Sequence, residues 1–265
     1  MPPSGLAILM GAGPTTGSGI ARILASPSHG NLAVALLSRS GSSDLASSLR
    51  ESSGGGVLHA FKTDTSAAAL AKAFEEIKAH DAFKGLPLKL AIWNIKHSHK
   101  VPFEEETSER FEESLRIYVG GARNFAAECT KWMLSQGEPT TTSTTSTTST
   151  GEGAPMEKKG TLIFTGTLGA MRTNAQYAAY GAGRAGVRML AQSLAREYSA
   201  RGLHVVHAIA NGGITDSVEG ADGQKVRAGM RMRAESVGKT YLWLSQQECD
   251  LWVHELDMRP AAERF

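Results

Sequence analysis

The sequence predicts an α/β fold in which residues 1–265 form one domain around a doubly wound parallel sheet, with helices on both faces. Short apolar segments alternate with longer amphipathic segments, as expected of strands joined by crossover helices. The apolar segments are continuous rather than alternating, which is typical of strands that are buried on both faces. With 265 residues, of which 41% are hydrophobic, the chain can bury a full core.

Individual elements follow from the same patterns. The first predicted strand, Leu6–Met10, ends in glycines, and a helix follows from Ile20. Further strands are predicted at 32–37, 57–62, 89–94, 161–165 and 205–210. Helices are predicted at 43–50, 67–80, 109–134 and 177–200, and the C-terminal region predicts one helix over 224–244 and a last strand over 252–258.

Residues 138–156 interrupt this alternation. They are rich in threonine, serine and glycine and carry almost no apolar side chain to bury. Such a composition predicts a surface loop within the domain, and the alternative is a phosphorylated or glycosylated tether.

Composition excludes several classes of partner. The formal net charge is only +2, and the basic residues are scattered, which gives no indication of nucleic-acid binding. No apolar run approaches the roughly 18 residues of a membrane span, and the first residues lack the basic start of a signal peptide. The two cysteines, Cys129 and Cys249, are far apart, which fits a reduced compartment. We therefore expect a soluble, cytoplasmic protein without membrane or nucleic-acid partners.

A glycine-rich segment separates the first strand from the first helix. Glycines allow a tight turn and a close approach of the backbone to a pyrophosphate, whose charge then lies at a helix N-terminus. The strand–loop–helix context favours a nucleotide site over a purely structural turn. The candidate binding residues here are Gly13, Thr15, Thr16, Gly17, Gly19 and Ile20.

Tyr180 and Arg184 stand one turn apart in the helix predicted over 177–200, so their side chains share one face. A permanent cation stabilises the phenolate that remains after a tyrosine gives up its proton. The pair is therefore a candidate proton donor with its counter-charge. The alternatives are that Tyr180 packs in the core and that Arg184 is a surface residue.

Thr167 lies thirteen residues before Tyr180. With the glycine-rich loop and the Tyr180–Arg184 pair, it makes nearly the whole chain outside the threonine-rich segment resemble the short-chain dehydrogenase/reductase family. The family has lysine where this chain has Arg184. The resemblance implies a Rossmann-like fold, with Tyr180 as proton donor, Thr167 in the place of the family's serine and Arg184 as a contact to the nicotinamide ribose. It also implies a homotetramer or homodimer.

The resemblance further implies cofactor contacts after the later strands. Arg39 stands where an acid would bind the ribose 2′-hydroxyl of NAD, and a guanidinium there receives a 2′-phosphate, so NADP(H) is expected. The alternative is a solvated arginine. The other implied cofactor residues are Ser40, Asp64, Thr65, Asn94, Gly212 and Ile214, together with Tyr180 and Arg184.

Several positions depart from the family pattern. Trp93-Asn94-Ile95-Lys96 replaces the family's Asn-Asn-Ala-Gly, so bulkier side chains are expected beside the cofactor. Tyr118 stands where many relatives have an asparagine that holds a proton-relay water, so an altered relay is expected. His97 and His99 are loop contacts or solvated residues, and no metal site is predicted, because their spacing is poor and no carboxylate accompanies them.

These features predict an NADP(H)-dependent reductase that transfers hydride to a carbonyl or imine of a small, fairly apolar metabolite, with residues 214–240 as a substrate cap. The departures at the site leave an alternative from secondary (alkaloid) metabolism, in which reduction is coupled to, or replaced by, a cyclisation such as an intramolecular Diels–Alder reaction. A third interpretation is a regulator that binds NADP(H) without turnover.

Overall fold

The computed structural model describes residues 1–136 and 156–263 and confirms the α/β fold. Seven parallel strands form one sheet in the order β3-β2-β1-β4-β5-β6-β9, and β7 and β8 form a separate two-residue ladder. The strands are β1 (Leu6–Met10), β2 (Ala33–Ser38), β3 (Leu58–Lys62), β4 (Leu88–Trp93), β5 (Gly160–Gly166), β6 (Leu203–Ala210), β7 (Ile214–Thr215), β8 (Met232–Arg233) and β9 (Glu255–Met258). The α-helices are α1 (Thr16–Ala25), α2 (Ser43–Ser52), α3 (Ala67–Ala79), α4 (Ser108–Leu115), α5 (Gly121–Ser135), α6 (Ala178–Tyr198), α7 (Gly220–Arg227) and α8 (Ala234–Gln246).

Two hydrophobic layers hold the helices against the sheet. On one face, Phe74 of α3 and Phe125 of α5 pack together with α6. On the other face, α1, α2 and α8 bury residues such as Leu24 and Tyr241. Because both faces are covered, β1, β5 and β6 are buried along their whole length, which explains their continuous apolar sequences.

The order in which strands are added to the sheet reverses between β1 and β4. Strands β2 and β3 lie on one side of β1, whereas β4, β5 and β6 lie on the other. At such a point the loops after neighbouring strands diverge and leave a crevice at the carboxyl ends of the strands. The loops after β1, β4, β5 and β6, together with the N-terminal halves of α1 and α6, carry most of the predicted site residues, so this topology brings distant parts of the sequence to one place.

The helix predicted over 109–134 is interrupted. A π-helical turn, Arg116–Gly120, separates α4 from α5. A Cβ on Gly121 would overlap Thr65 and the ring of Trp93, so glycine allows the helix to approach the sheet there. The wider turn leaves Tyr118 only 2% exposed and directed to the sheet.

A single helix over 224–244 is wrong. The chain forms α7, then the short strand β8, and only then α8. Gly229, in the left-handed region with φ of 69°, lies in the turn after α7, and β8 pairs with β7. The predicted helix is therefore interrupted by the turn at Gly229 and by the pairing of β8 with β7, and the apolar spacing of the sequence reveals neither.

Residues 214–240, the proposed cap, are fastened to α1. The Arg22 guanidinium binds Asp216 at 2.6 Å and Glu235 at 2.9 Å, which lie at the two ends of the segment that contains α7 and β8. Hydrogen bonding to Asp216 raises the pKa of Arg22. A Cβ on Gly19 would overlap Ala234, so α1 and α8 pack closely at this point.

The threonine-rich loop predicted at 138–156 lies outside the described residues, except for residue 156. Within the described ranges, no helix combines the length and the hydropathy that crossing a bilayer requires.

Candidate functional site

A cavity of about 900 Å³ opens at the carboxyl ends of the central strands. This volume is within the usual range for small-molecule sites. Eight of the residues predicted for the site line it: Thr15, Thr16, Asn94, Thr167, Tyr180, Arg184, Gly212 and Ile214. The lining also includes residues that the sequence did not single out: Ser98, Leu168, Arg172, Thr173, Asn174 and Glu263.

Thr167 and Tyr180 are brought together inside this cavity. Thr167 follows β5, Tyr180 lies in the first turn of α6, and their hydroxyl oxygens are 2.5 Å apart. Gly169 makes this possible, because a Cβ there would overlap the Tyr180 ring. Two hydroxyl groups at this separation can both reach one oxygen atom of a ligand, so the arrangement suits donation of a hydrogen bond and of a proton to the same atom.

Arg184 lies beneath this pair and is only 5% exposed, so it is not a surface residue. Its Cζ is 5.1 Å from the centre of the Tyr180 ring and 4.4 Å from the centre of the Tyr118 ring. Nη1 donates to the Tyr118 hydroxyl and, at 3.3 Å, to the Thr165 carbonyl, whereas Nε is buried without a hydrogen-bond partner. The guanidinium is therefore fixed between two tyrosine rings.

Tyr118 provides a neutral acceptor for this cation. Burial raises the pKa of Tyr118 to about 12, although the charge of Arg184 acts in the opposite direction. The phenol therefore stays protonated and does not cancel the positive charge of Arg184. Its own hydroxyl donates to the Thr165 carbonyl at 3.4 Å, and on the opposite face of the sheet the Thr165 hydroxyl is 2.9 Å from the Tyr241 hydroxyl.

A buried histidine of β6 lies against the neighbouring strand β5. His207 is 1% exposed, and its Nδ1 is 3.2 Å from Glu255, which also forms a two-bond ion pair with Arg188. The other ring nitrogen, Nε2, has no hydrogen-bond partner and lies against Gly166, where a Cβ would overlap it. Burial lowers the pKa of His207, so the ring is neutral under the floor of the cavity.

The histidines after β4 do not line the cavity. His99 is bound by Glu106 at 2.6 Å, and burial lowers the pKa of the half-buried His97. Among residues 1–136 and 156–263 no three His, Cys, Asp or Glu side chains cluster as a metal site would require.

The glycine-rich loop has the shape that a phosphate group requires. The N-terminus of α1 receives no hydrogen bond from the Thr15 side chain and has no acidic residue in its first turn, so it favours an anion. Gly11 has φ of 90°, and a Cβ there would overlap the Asn94 carbonyl; Asn94 in turn donates to the Gly11 carbonyl at 3.2 Å. The N-terminus of α1 could therefore hold a phosphate group of a cofactor.

The other glycines of the loop have a different role. Gly17, Gly19 and Ile20 are buried in α1 and do not line the cavity, and Gly19 faces Ala234. Space beside Gly13 is open, since no atom lies within 4 Å of the position that a Cβ would occupy. Part of the glycine pattern therefore serves helix packing rather than ligand contact.

Arg39 and Asp64 lie at a second hollow of about 440 Å³, together with Lys62 and Lys72. Arg39 follows β2 and Asp64 follows β3, and these strands pair through Ser38 and Lys62. Three cations thus line the hollow with two acids, Asp64 and Glu76, and Lys72 lies 3.7 Å from Glu76. Hydrogen bonds from Ser66 hold the pKa of Asp64 below its usual value.

Two predicted residues of this region have mainly local contacts. The Ser40 hydroxyl is 3.2 Å from that of Ser38, and the Thr65 carbonyl accepts from Asn124 at 3.2 Å. Neither lines the two hollows. Their contact with a cofactor stays a prediction.

Asn211 and Glu263 line the cavity and contact each other. The Asn211 side chain accepts from the Leu168 amide at 3.1 Å and donates to Glu263 Oε1. Residues 260–263 fold back beside Gly212 and Gly229, which brings Glu263 to the cavity. Its position depends on contacts between remote segments, which explains why the sequence pattern missed it.

Comparison with known proteins gives a consistent result. Residues 140–250 match the family model described as enoyl-(acyl carrier protein) reductase. A short-chain dehydrogenase from Rhodopseudomonas palustris is 22% identical, with a TM-score of 0.73, and the match covers 98% of this chain and all of the other. A 3-oxoacyl-[acyl-carrier protein] reductase from Brucella melitensis in complex with NAD is 19% identical, with a TM-score of 0.71 and coverage of 92% of this chain and 90% of the other.

A third structure, an alcohol dehydrogenase from the archaeon Thermococcus sibiricus complexed with 5-hydroxy-NADP, is 16% identical, with a TM-score of 0.74 over 98% of each chain. At these identities the structural likeness shows a shared fold. The Brucella melitensis structure contains NAD, whereas the Thermococcus sibiricus structure contains 5-hydroxy-NADP. The chain therefore shares the fold of the short-chain dehydrogenase from Rhodopseudomonas palustris, and residues 140–250 are similar to the enoyl-(acyl carrier protein) reductase family model.

Proposed function

We propose that the chain is an NADP(H)-dependent reductase that acts on a carbonyl or imine of a small molecule. The observation that carries this proposal is the 2.5 Å contact between the hydroxyl groups of Thr167 and Tyr180 above the buried guanidinium of Arg184. The cofactor would supply hydride, and the residues of this chain would hold the acceptor oxygen or nitrogen and protonate it.

In this proposal Tyr180 Oη donates the proton to the developing alkoxide or amide anion. Thr167 Oγ1 donates a hydrogen bond to the same atom and so orients the substrate. The positive charge of Arg184, 5.1 Å from the Tyr180 ring, favours the phenolate that remains. Because Tyr118 and the Thr165 carbonyl hold the guanidinium, its position is fixed before any ligand binds.

Cofactor contacts are proposed at both hollows. The uncapped N-terminus of α1 would receive the pyrophosphate, and Gly212 and Ile214 would lie against the nicotinamide end. Arg39, with Lys62 and Lys72 beside it, would receive a 2′-phosphate. The three cations outnumber the two acids of this hollow, Asp64 and Glu76, and the remaining positive charge favours NADP(H) over NAD(H).

The substrate site would lie under residues 214–240. Polar side chains, including Lys96, Arg172 and Asn174, line the same cavity as Ile95 and Leu168. A small substrate with both an apolar body and polar substituents suits this lining better than a purely apolar molecule.

A homodimer or homotetramer is part of the proposal. One side of α6 leaves Ala182, Ala185 and Met189 exposed at helical spacing, and Met189 is 50% exposed. An uncovered apolar stripe of this kind suits contact with a second copy of the chain. Sedimentation or mass photometry of the purified protein measures the state directly.

The test of the proposed function is cofactor binding and consumption across a panel of carbonyl and imine compounds. The wild-type chain should bind NADPH at least tenfold tighter than NADH. Arg39→Glu should reverse this preference, and Lys84→Glu, a charge reversal on the exposed surface, should leave it unchanged. Tyr180→Phe should lower kcat by about 10²–10⁴-fold with little change in NADPH affinity.

NADPH binding without turnover of any compound would reject the reductase and favour the non-redox interpretations. Turnover that does not depend on the Tyr180 hydroxyl would reject the assigned proton donor. Product analysis by ring count then separates simple reduction from a reaction that includes cyclisation.

A further inference from the structure

Glu263 is the acidic residue among those that line the main cavity. Its two carboxylate oxygens differ. Oε1 accepts a hydrogen bond from the Asn211 side chain, whereas Oε2 is buried and has no hydrogen-bond partner among the residues that the structure describes. A buried carboxylate oxygen without a donor is energetically costly, and native proteins seldom leave such a group unsatisfied.

The position of Oε2 is fixed by its surroundings. Asn211 holds the carboxylate from one side, and the same side chain is anchored by the Leu168 amide, directly after Thr167. Oε2 lies 3.7 Å from the position that a Cβ on Gly212 would occupy. The backbone of residues 260–263 is tied down by hydrogen bonds from Ala262 to the Gly229 carbonyl and from Glu263 to the Pro260 carbonyl.

We infer that Glu263 Oε2 accepts a hydrogen bond from an N–H group of a ligand at the reacting end of the cavity. This inference rests on the proposed function. Two sources could present that group beside Gly212, namely the carboxamide of the nicotinamide and a nitrogen of the substrate. The closeness of Glu263 to Gly212, which is itself a proposed nicotinamide contact, favours the carboxamide.

The chemistry also accounts for the choice of residue. A carboxylate accepts hydrogen bonds only, so it can receive the Asn211 amide on one oxygen and a ligand N–H on the other. A glutamine in its place presents one acceptor and one donor, and therefore loses one of the two interactions. Hydrogen bonds to a charged partner are the stronger ones, so the loss should be measurable in affinity.

The experiment is calorimetric titration of the wild-type chain and of Glu263→Gln with two reduced cofactors. The first is NADPH, and the second is its 3-acetylpyridine analogue, in which an acetyl group replaces the carboxamide and removes the N–H donor. The reduced forms are used because their ring is uncharged. Glu104→Gln, an exposed glutamate on another surface, is the matched control, and the melting temperature reports whether each variant is folded.

With the carboxamide as source, Glu263→Gln should weaken NADPH binding by about tenfold and leave the affinity for the acetylpyridine analogue unchanged. With a substrate nitrogen as source, both cofactors should bind as in the wild type. Glu263→Gln should then weaken only the binding of benzylamine to the NADPH complex, and not that of benzyl alcohol. Either pattern supports a ligand N–H at Glu263 and names its source.

Two outcomes overturn the inference. Equal weakening of both cofactors would show that Glu263 only shapes the wall, and unchanged binding of all four ligands would show that it contacts none of them. Failure of the wild-type chain to bind NADPH is a different result, because it removes the proposed cofactor rather than the role of Glu263 alone.

Discussion

Replacement of Tyr118 by phenylalanine tests the buried cation directly and does not depend on the proposed reaction. The substitution keeps the ring, which lies 4.4 Å from the Arg184 Cζ, and removes the hydroxyl that accepts from Nη1. Arg184 then keeps the Thr165 carbonyl as an acceptor at 3.3 Å, and Nε still has no hydrogen-bond partner among the described residues. The ring contact should survive, and the charge-assisted hydrogen bond should be lost.

Hydrogen bonds to charged groups contribute about 1.5–3 kcal/mol, and a buried charged donor cannot recover its partner from water. We expect Tyr118→Phe to lower the free energy of unfolding by about 2 kcal/mol. For a domain of this size that corresponds to a fall in Tm of about 4–8 °C. Urea titration followed by circular dichroism measures the first quantity, and differential scanning calorimetry measures the second.

Two further tyrosines provide matched controls. Tyr241→Phe removes a neutral hydrogen bond to the Thr165 hydroxyl on the other face of the sheet and should cost about 1 kcal/mol. Tyr198→Phe, at the end of α6, should change stability by less than about 0.5 kcal/mol. A double-mutant cycle with Arg184→Met should give a coupling energy of about 1–2 kcal/mol between positions 118 and 184. A coupling near zero, or equal stability of the three phenylalanine variants, would refute the account of how Arg184 is held.

Two other predictions concern buried groups of β5 and β6. Burial lowers the pKa of His204 to about 4, against 6.5 in the unfolded chain. The neutral ring therefore contributes fully to the free energy of unfolding above pH 6.5, and this contribution is lost as the pH falls toward 4. His204→Phe keeps an aromatic ring against Trp252. Between pH 6.5 and 4, the free energy of unfolding of this variant should fall by up to about 3 kcal/mol less than that of the wild type. The same fall in both proteins would contradict a buried neutral His204 ring. Gly166→Ala should lower the free energy of unfolding by about 2 kcal/mol or more, because the new Cβ would overlap His207 Nε2. Gly13→Ala, whose Cβ would enter open space, should change it by less than about 0.5 kcal/mol in the same urea assay. Equal stabilities of the two variants would contradict the close contact between Gly166 and His207.

The sheet and its helices were predictable because buried parallel strands leave a local signal. The runs at Leu6–Met10 and around 161–165 are continuous and apolar, and the strands lie there with shifts of one or two residues. Prediction failed over 224–244, where apolar spacing extends across Gly229 although the chain turns and β8 pairs with β7. Strand pairing over that distance has no local signature.

The site was predictable to the extent that it follows motifs. The resemblance to the short-chain dehydrogenase/reductase family, carried by the spacing of Thr167 and Tyr180, implied that these two residues act together, and the structure brings them into contact. The contact between Arg184 and Tyr118 and the contact between Asn211 and Glu263 depend on how the π-helical turn and the chain after β9 fold over the sheet. Such contacts join segments that are 50 or more residues apart, so residue type and spacing cannot give them.

Arg22 holds Asp216 and Glu235 with one guanidinium, and this has a consequence for how the sequence can vary. The two ends of the intervening segment are thus held together by a residue of α1 as well as by the pairing of β7 with β8. Insertions, deletions and substitutions in that interval can therefore vary this part of the surface without straining the sheet, because loop length costs little closure entropy. The interval can change almost independently of selection for stability, provided that the arginine and its two acids are retained.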